Sequence, residues 1–369
     1  MSAGVASEGP PVKGPTEQQD LVRRLLGRHT REEWVDLLAV PFALLVICII
    51  LAIIAPEFLT ADNLKDVLVQ AAVLAIVAFG MTFVIIAAEL DLSVGSGVAL
   101  ASVVSALVMR DSQSVILGVL AGIATGTAIG VANGAIVTQL RVPSFIATLG
   151  TLEIARGIAL ALTNGAVISG LPTSVTNIAN GEFLGLRWPI WVTVVVFVIL
   201  TLVLRRTTFG VRVMAVGGNR EAARLSSVPV NRVRLLAFVI TGVCVGISGV
   251  ITTARVSSGQ PNTGTLLALT AIAAIVVGGT SLLGGRGSVT RTLWGILLLS
   301  VVQNGLDLKG VNDDLQSVVI GLVFIFAAST DLLRRRARRR RARATLTDAT
   351  GGTVADPAET PPDEQRQPA

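Results

Sequence analysis

Two carboxylates, Glu89 and Asp91, stand between apolar segments of the sequence, and the hydroxyl residues Ser93 and Ser96 follow them closely. An ionisable side chain inside a membrane span costs about 3 kcal/mol at the helix centre, so residues of this type require a role. Carboxylate oxygens accept hydrogen bonds from hydroxyl groups, which suits the binding of a sugar. The alternative is structural: Asp91 or Ser93 caps a helix that begins near Val94, and Glu89 lies at the surface.

A second polar group lies inside an apolar segment, where Glu153 and Arg156 are three residues apart. This spacing places both side chains on one face of a helix, where their charges neutralise each other. Thr148 and Thr151 have the same spacing and extend the polar stripe. We interpret Glu153 and Arg156 as a structural intramembrane ion pair, with a role in lining a pore as the alternative.

Amide side chains occur in two further apolar segments, at Asn133, Gln303 and Asn304. Amides in membrane spans often hydrogen-bond neighbouring helices, and the alternative is that they line a polar pathway. The predicted substrate pathway comprises ten residues: Glu89, Asp91, Ser93, Ser96, Asn133, Phe145, Thr148, Thr151, Gln303 and Asn304.

The connecting segment 205–234 is rich in arginine and contains the pattern of a short helix. Asn219 suits an N-cap, and Glu221 falls in the first turn, where an acidic side chain complements the helix dipole. The small residues Ala222 and Ala223 would let this helix fit a groove on another protein. An ordinary connecting loop is the alternative.

The composition requires a lipid environment, because 52% of the residues are hydrophobic and only 15% are charged, against about 25% in soluble domains. Two cysteines and one histidine argue against a disulfide framework, a metal site and histidine-centred catalysis. None of the three lysines stands in a Gly-Lys-Ser/Thr motif, so the chain has no phosphate-binding loop of its own. If ATP drives this protein, another subunit hydrolyses it.

Ten apolar segments are each roughly long enough to cross a ~30 Å hydrocarbon layer as a helix, which predicts an all-α, polytopic integral membrane protein. They lie at about 34–55, 67–88, 94–109, 115–138, 143–163, 188–204, 235–253, 265–284, 288–306 and 314–333. The third segment is short and follows the two carboxylates, so we predict a half-helix or a re-entrant element there.

The positive charges indicate the orientation. With a cytoplasmic N-terminus, 24 of the 30 Lys and Arg residues fall on the cytoplasmic side and five outside, while Arg156 lies within a span. This asymmetry predicts an even number of spans with both termini in the cytoplasm, and it argues against nucleic-acid binding. Residues 1–33 and 334–369 are predicted to be cytoplasmic and largely disordered, flanking a transmembrane domain at 34–333. The eight arginines within 334–343 are interpreted as an anchor to membrane lipid, with a specific partner site as the alternative.

Over about residues 36–335, the sequence resembles the permease subunits of ribose-type ABC importers. The similar blocks are LDLSVGS at 90–96, VPSFIATLGT at 142–151, ARG at 155–157, the loop at 218–223, AIAAIVVGGTSLLGGRG at 271–287 and QNGL at 303–306. Two departures stand out. Ala88 and Glu89 occupy positions where the family usually has two glycines, and Ser227 follows Ser226 where the family usually has Ser-Gly.

The resemblance implies a type II-like importer fold in the bacterial inner membrane, with a homodimer, or a pair with a close relative, forming one pore by alternating access. It implies an ATPase subunit that carries ATP and Mg, and a periplasmic or lipid-anchored sugar-binding protein, with no cofactor on this chain. The residues implied in ATPase docking are Gly218, Asn219, Glu221, Ala222, Ala223, Arg224 and Ser227.

Three other functions remain open from the sequence. A branched-chain amino-acid or nucleoside permease shares the fold that the resemblance implies. A proton-coupled secondary transporter would use Glu89, Asp91 or Glu153 to carry a proton. A membrane-embedded enzyme is disfavoured because the sequence lacks a metal-ligand cluster and a nucleophile–base pair.

Overall fold

The computed structural model describes residues 31–312 and, beyond them, residues 315–319, 321–322, 325 and 329. The two predicted disordered tails, His29, the arginine run within 334–343 and most of the tenth predicted span lie outside the described residues. The domain boundaries at 33 and 333 therefore stay predictions.

The described chain is mostly helical, as predicted. Its helices are α1 (Arg31–Ile54), α2 (Ala61–Ile86), α3 (Val94–Ser112), α4 (Val115–Thr138), α5 (Ser144–Thr163), α6 (Thr176–Asn180), α7 (Trp188–Arg206), α8 (Thr208–Gly218), α9 (Arg220–Leu225), α10 (Val230–Val256), α11 (Leu267–Val277) and α12 (Val289–Leu308). Two short strands, β1 (Glu182–Phe183) and β2 (Leu186–Arg187), form an antiparallel hairpin.

Six of the described helices are long and apolar enough to cross a membrane: α2, α3, α4, α5, α7 and α10. This agrees with a polytopic, all-α membrane protein, whereas the count of ten spans stays a prediction. The central helix is α2, whose side chains from Ile76 to Ala87 are almost fully buried among the other helices. Other helices have one exposed apolar face instead, as in α5 and α7.

The predicted half-helix at the third segment is wrong, and the interruption lies in the eighth segment. Helix α3 has 19 residues, enough to span a membrane, whereas α11 has 11 residues and a length of about 16 Å. The irregular chain before α11 runs down along α3. A Cβ added at Gly259 would lie 2.6 Å from the Cβ of Ala106, and one added at Gly95 would lie 2.3 Å from the carbonyl oxygen of Gly264. This irregular segment is buried against protein, which can supply the hydrogen-bond partners that its backbone groups would lack in lipid.

Glycines let α4 and α10 approach until their backbones touch. Glycine recurs in α4 at every fourth position from 118 to 134, so the glycines form a stripe on one face. A Cβ added at Gly126 would lie 2.3 Å from the amide nitrogen of Gly246, and one at Gly130 would lie 2.4 Å from the carbonyl oxygen of Phe238. The hydrophobic effect does not drive two helices together in lipid, because lipid tails are as apolar as the helices. Close van der Waals packing, which small residues permit, stabilises such crossings instead.

The helices alternate between two ends of the bundle, which we call the Glu89 end and the Arg255 end. The Glu89 end holds the connections 87–93, 139–143, 207–229 and 278–288. The Arg255 end holds 55–60, 113–114, 164–187 and the start of 257–266, which then runs along α3 towards Gly95. Among residues 38–312, ten arginines lie at or beside the Glu89 end, and three arginines and two lysines lie at the Arg255 end. The described chain therefore has the charge asymmetry that the sequence predicts.

Candidate functional site

The connection between α2 and α3 buries Asp91, which is 2% exposed. Its Oδ1 atom accepts hydrogen bonds from the backbone N–H of Ser93 at 3.0 Å and from the Ser93 hydroxyl at 2.6 Å. The Asn133 amide of α4 donates to the Ser93 hydroxyl oxygen at 2.8 Å. Burial raises the pKa of Asp91, while the hydrogen bonds from Ser93 act in the opposite direction. Ser93 stands at the N-cap position of α3, but its side chain does not cap the helix.

Glu89 is neither at the surface nor open to a solute. It is 5% exposed, and its Oε1 atom accepts from Arg220 Nη2 at 2.5 Å and from Arg234 Nε at 2.6 Å. Arg220 begins α9 and Arg234 lies in the first turns of α10, so one carboxylate joins three parts of the Glu89 end. The sequence did not predict these partners, which lie 131 and 145 residues away along the chain.

Both departures from the ribose-type pattern fall on left-handed backbone positions. Ala88 has φ +61° and Ser227 has φ +59°. Each follows a helix, and the residue after each donates to the carbonyl five positions back, Glu89 to Val84 at 3.0 Å and Val228 to Ala223 at 3.0 Å. This is the Schellman C-cap, in which glycine is preferred because it has no Cβ penalty at positive φ. The family's glycines therefore have a structural reason at both places, and α9 still ends normally at Leu225.

The threonines predicted on α5 hydrogen-bond their own helix in the described chain. The Thr148 and Thr151 hydroxyls donate to carbonyl oxygens one turn earlier, at 2.8 Å from Ser144 and 3.0 Å from Ala147, and both side chains are buried. Phe145, three residues before Thr148, is 51% exposed. Among the ion pairs of the described residues, none joins Glu153 to Arg156, so the predicted ion pair is absent within one chain.

The structure separates the predicted amides. Asn304 exchanges two hydrogen bonds with Asn63, at 3.1 Å and 2.8 Å, and so ties α12 to α2. This matches the structural alternative for that residue. Gln303, one position earlier, lines a cavity instead. The buried Ser96 hydroxyl has no hydrogen-bond partner among the described residues, and Ser96 is not part of that cavity wall.

A cavity of about 550 Å³ lies at the Arg255 end, and its volume is within the usual range for small-ligand sites. Its wall comes from α2, α3, α10, the descending chain before α11, α11 and α12. Ten polar residues line it: Gln70, Thr252, Arg255, Asn262, Thr263, Thr265, Thr270, Gln303, Gln316 and Ser317. None of its described lining residues is acidic. A smaller space of about 200 Å³ adjoins it at Arg255, and contains Asp66, which is paired with Arg187 at 2.7 Å.

Of the ten predicted pathway residues, only Gln303 lies in this wall. The other polar residues of the cavity were missed because they come from distant helices and no local pattern marks them. The one available signal was the interrupted eighth segment, since irregular backbone within a membrane protein is tolerated where it lines a cavity.

The predicted docking helix exists as α9, and the Asn219 side chain caps it by accepting from the backbone N–H of Ala222 at 3.0 Å. Arg224 donates to Glu221 at 2.5 Å and 3.1 Å, and this hydrogen bonding lowers the pKa of Glu221. Ala223 is buried against the bundle, whereas Gly218, Asn219, Glu221, Ala222, Arg224 and Ser227 are exposed. Leu225 adds a large apolar side chain that is 75% exposed.

Comparison with known proteins identifies similar chains. A family model described as branched-chain amino acid transport system / permease component matches residues 63–328. The ribose import permease protein of Bacillus subtilis (strain 168) is 41% identical over 294 residues, which cover 79% of this chain and 91% of that protein. The L-arabinose transport system permease protein of Escherichia coli (strain K12) is 38% identical over 294 residues, covering 80% and 90%. The ribose import permease protein of the same organism is 38% identical over 296 residues, covering 78% and 91%. No solved structure matches this chain.

Proposed function

The chain belongs to the family of branched-chain amino acid transport system permease components, and from this premise we propose that it is the membrane-spanning permease subunit of an ATP-binding cassette importer for a simple sugar. One observation carries the sugar assignment: relatives named as ribose and arabinose permeases match over about nine-tenths of their own length. The chain is a multi-pass membrane protein and a transport subunit rather than an enzyme.

The chemistry of the cavity supports a neutral, hydroxyl-rich solute. Each sugar hydroxyl can both donate and accept a hydrogen bond. The cavity offers donors and acceptors for such groups, from the amides of Gln70 and Gln303 and the hydroxyls of Thr252 and Thr270. Arg255 adds a donor. Arg255 is the one charged residue among the described residues of this lining.

A branched-chain amino acid is the second candidate, since the description of the matching family names that solute. A zwitterion presents an ammonium group, which needs an acidic or carbonyl-rich partner. The described wall of the large cavity has no carboxylate, and Asp66 in the adjoining space is already paired with Arg187. The cavity therefore favours a sugar.

The remaining partners follow from the proposed transport cycle. An ATPase subunit would carry ATP and Mg and dock on α9, and a periplasmic or lipid-anchored binding protein would deliver the sugar at the Arg255 end. A second permease copy would complete the pore. The arginine-rich Glu89 end would face the cytoplasm, and both termini would lie there, because positive charge is retained on the cytoplasmic side.

The test is affinity purification of the tagged chain from its native membrane, with mass spectrometric identification of what is recovered, followed by uptake assays in proteoliposomes. Recovery of an ATPase and a sugar-binding protein, with ATP-dependent uptake of labelled ribose or arabinose and none of leucine, is expected. ATP-dependent uptake of leucine alone would establish the second candidate. Uptake that needs no ATP and collapses with the proton gradient would establish a secondary transporter and refute the proposal.

A further inference from the structure

The hairpin of β1 and β2 has a charged side and an apolar side. Its cross-strand pairs are Glu182 with Arg187 and Phe183 with Leu186. Because successive side chains of a strand point to opposite faces, the charged pair lies on one face and the apolar pair on the other. The charged pair ties the hairpin to the start of α2, where Glu182 lies 3.4 Å from Lys65 and Arg187 lies 2.7 Å from Asp66.

The apolar side of the hairpin packs on the first turn of α7. The Phe183 ring lies 5.8 Å from the Trp188 ring, in a stacked arrangement, and 5.8 Å from the Trp191 ring, edge to face. The indole N–H of Trp191 donates to the carbonyl oxygen of Phe183 at 2.9 Å. The two tryptophans are about 4.5 Å apart along the helix axis, so Phe183 lies beside α7 and not beyond its end.

The same two tryptophans begin the exposed apolar stripe of α7. Val195, Ile199 and Leu202 follow Trp191 at helical spacing, and each is at least 52% exposed. Helix α7 is long and apolar enough to cross a membrane, so lipid can cover this stripe. The hairpin extends the stripe at the first residues of the span, where a helix meets the headgroup region and tryptophan is enriched.

The tip of the hairpin is an unfavourable structure in water. Leu184 and Gly185 form its two-residue turn with φ +51° and +74°, as in a type I′ turn, which prefers asparagine followed by glycine. A leucine at the first of these positions bears the cost of positive φ. It gains little burial among the described residues, since it is 77% exposed, and the neighbouring Phe183 is 50% exposed.

We propose that the β1–β2 hairpin is a membrane-interface anchor that inserts Phe183 and Leu184 into the lipid leaflet at the Arg255 end. Amphipathic helices at membrane surfaces bury an apolar side at the acyl boundary in the same way. The orientation of the hairpin favours lipid over a protein at the cavity mouth. Asp66 and Arg187 line the space that adjoins the cavity, so the charged side of the hairpin faces the mouth and its apolar side faces the periphery. The inference requires only that α7 spans a membrane, and it is independent of the transported solute.

Fluorescence quenching in lipid nanodiscs tests the depth of the tip. The full-length protein carries Cys48→Ala and Cys244→Ala, and a single Leu184→Cys is labelled with bimane. Nitroxide placed near the top of the lipid acyl chains should quench this label at least about twofold more than iodide does. Val195→Cys on the α7 stripe should behave in the same way, whereas Asp111→Cys, 66% exposed at the same end, should be quenched by iodide and not by lipid.

Three results would overturn the proposal. A Leu184→Cys label that behaves like the Asp111→Cys label would place the tip in water. A label that neither quencher reaches would show that protein, such as a second copy of this chain, covers the tip. A label that iodide quenches until a purified sugar-binding protein is added would make the hairpin a docking surface for that protein.

A second variant needs no label. Leu184→Asn supplies the residue that the turn prefers, so it should raise the midpoint of thermal unfolding if the tip lies in water. In lipid the amide replaces apolar contact, and the midpoint in nanodiscs should fall instead. Ser257→Asn is the matched control, because Ser257 is an exposed residue with φ +48° after α10, and asparagine should not lower the midpoint there. A rise in the midpoint for Leu184→Asn would refute insertion.

Discussion

Replacement of Glu89 by glutamine removes the one charge that joins the α2–α3 connection to α9 and α10. The side chain keeps its shape, so the effect comes from electrostatics. Arg234 is 11% exposed and would be left without a counter-charge, which costs about 3 kcal/mol for a buried pair broken on one side. Arg220 is 48% exposed and adds no more than about 1 kcal/mol because solvent screens it. We expect the free energy of unfolding to fall by about 3 kcal/mol.

The assay is denaturant unfolding of the purified protein in detergent, followed by far-ultraviolet circular dichroism. The double variant Glu89→Gln with Arg234→Gln should be more stable than Glu89→Gln alone, because it removes the uncompensated cation as well. Asp66→Asn is the matched control. Asp66 is 61% exposed in its pair with Arg187, so its loss should cost less than about 1 kcal/mol.

Two outcomes would refute this reasoning. If Glu89→Gln changes the free energy of unfolding no more than Asp66→Asn does, burial of the Glu89 pair does not control its strength. If the double variant loses the full sum of the two single effects, Glu89 and Arg234 act independently and their 2.6 Å contact contributes nothing.

Three further predictions concern backbone and docking. Ala88→Gly should raise the free energy of unfolding by about 1 kcal/mol, because glycine removes the cost of φ +61°; no gain in denaturant unfolding would contradict this. Gly126→Ala should destabilise the protein strongly, because the added Cβ would lie 2.3 Å from a backbone nitrogen of α10. The control Gly150→Ala should cost little stability, because its added Cβ meets no atom within 4 Å. Equal midpoints of thermal unfolding for the two variants would refute the backbone contact. Glu221→Arg should abolish ATP-dependent uptake with normal amounts of protein in the membrane. Normal uptake by this variant would remove α9 from the docking surface.

Features set by local sequence could be predicted. Membrane spans follow from hydropathy because lipid accepts only apolar helices, and α9 follows from Asn219, whose capping hydrogen bond reaches only three residues along the chain. The interruption was assigned to the wrong segment because hydropathy records how apolar a stretch is and not whether its backbone is helical. Residues 265–284 read as one apolar run, although α11 covers only Leu267–Val277.

The partners of polar residues could not be predicted, because they are fixed by packing between distant parts of the chain. Glu89 meets arginines more than 130 positions away, and Asn304 meets Asn63 at a separation of 241 residues. The same limit applies to the cavity, whose wall combines single residues from several helices, such as Gln70 and Arg255. Sequence identified polar residues in apolar surroundings, but only the fold shows which face each other.

The short helix α11 also constrains how the protein is made. A segment of about 16 Å cannot leave the translocon sideways as an independent span, and the irregular chain before it carries backbone polar groups that lipid cannot satisfy. It needs the wall formed by α3, where Gly95 and Ala106 receive it. Because α3 precedes α11 in the chain, this wall is already made when α11 emerges, and we expect α11 to enter the membrane only together with α3.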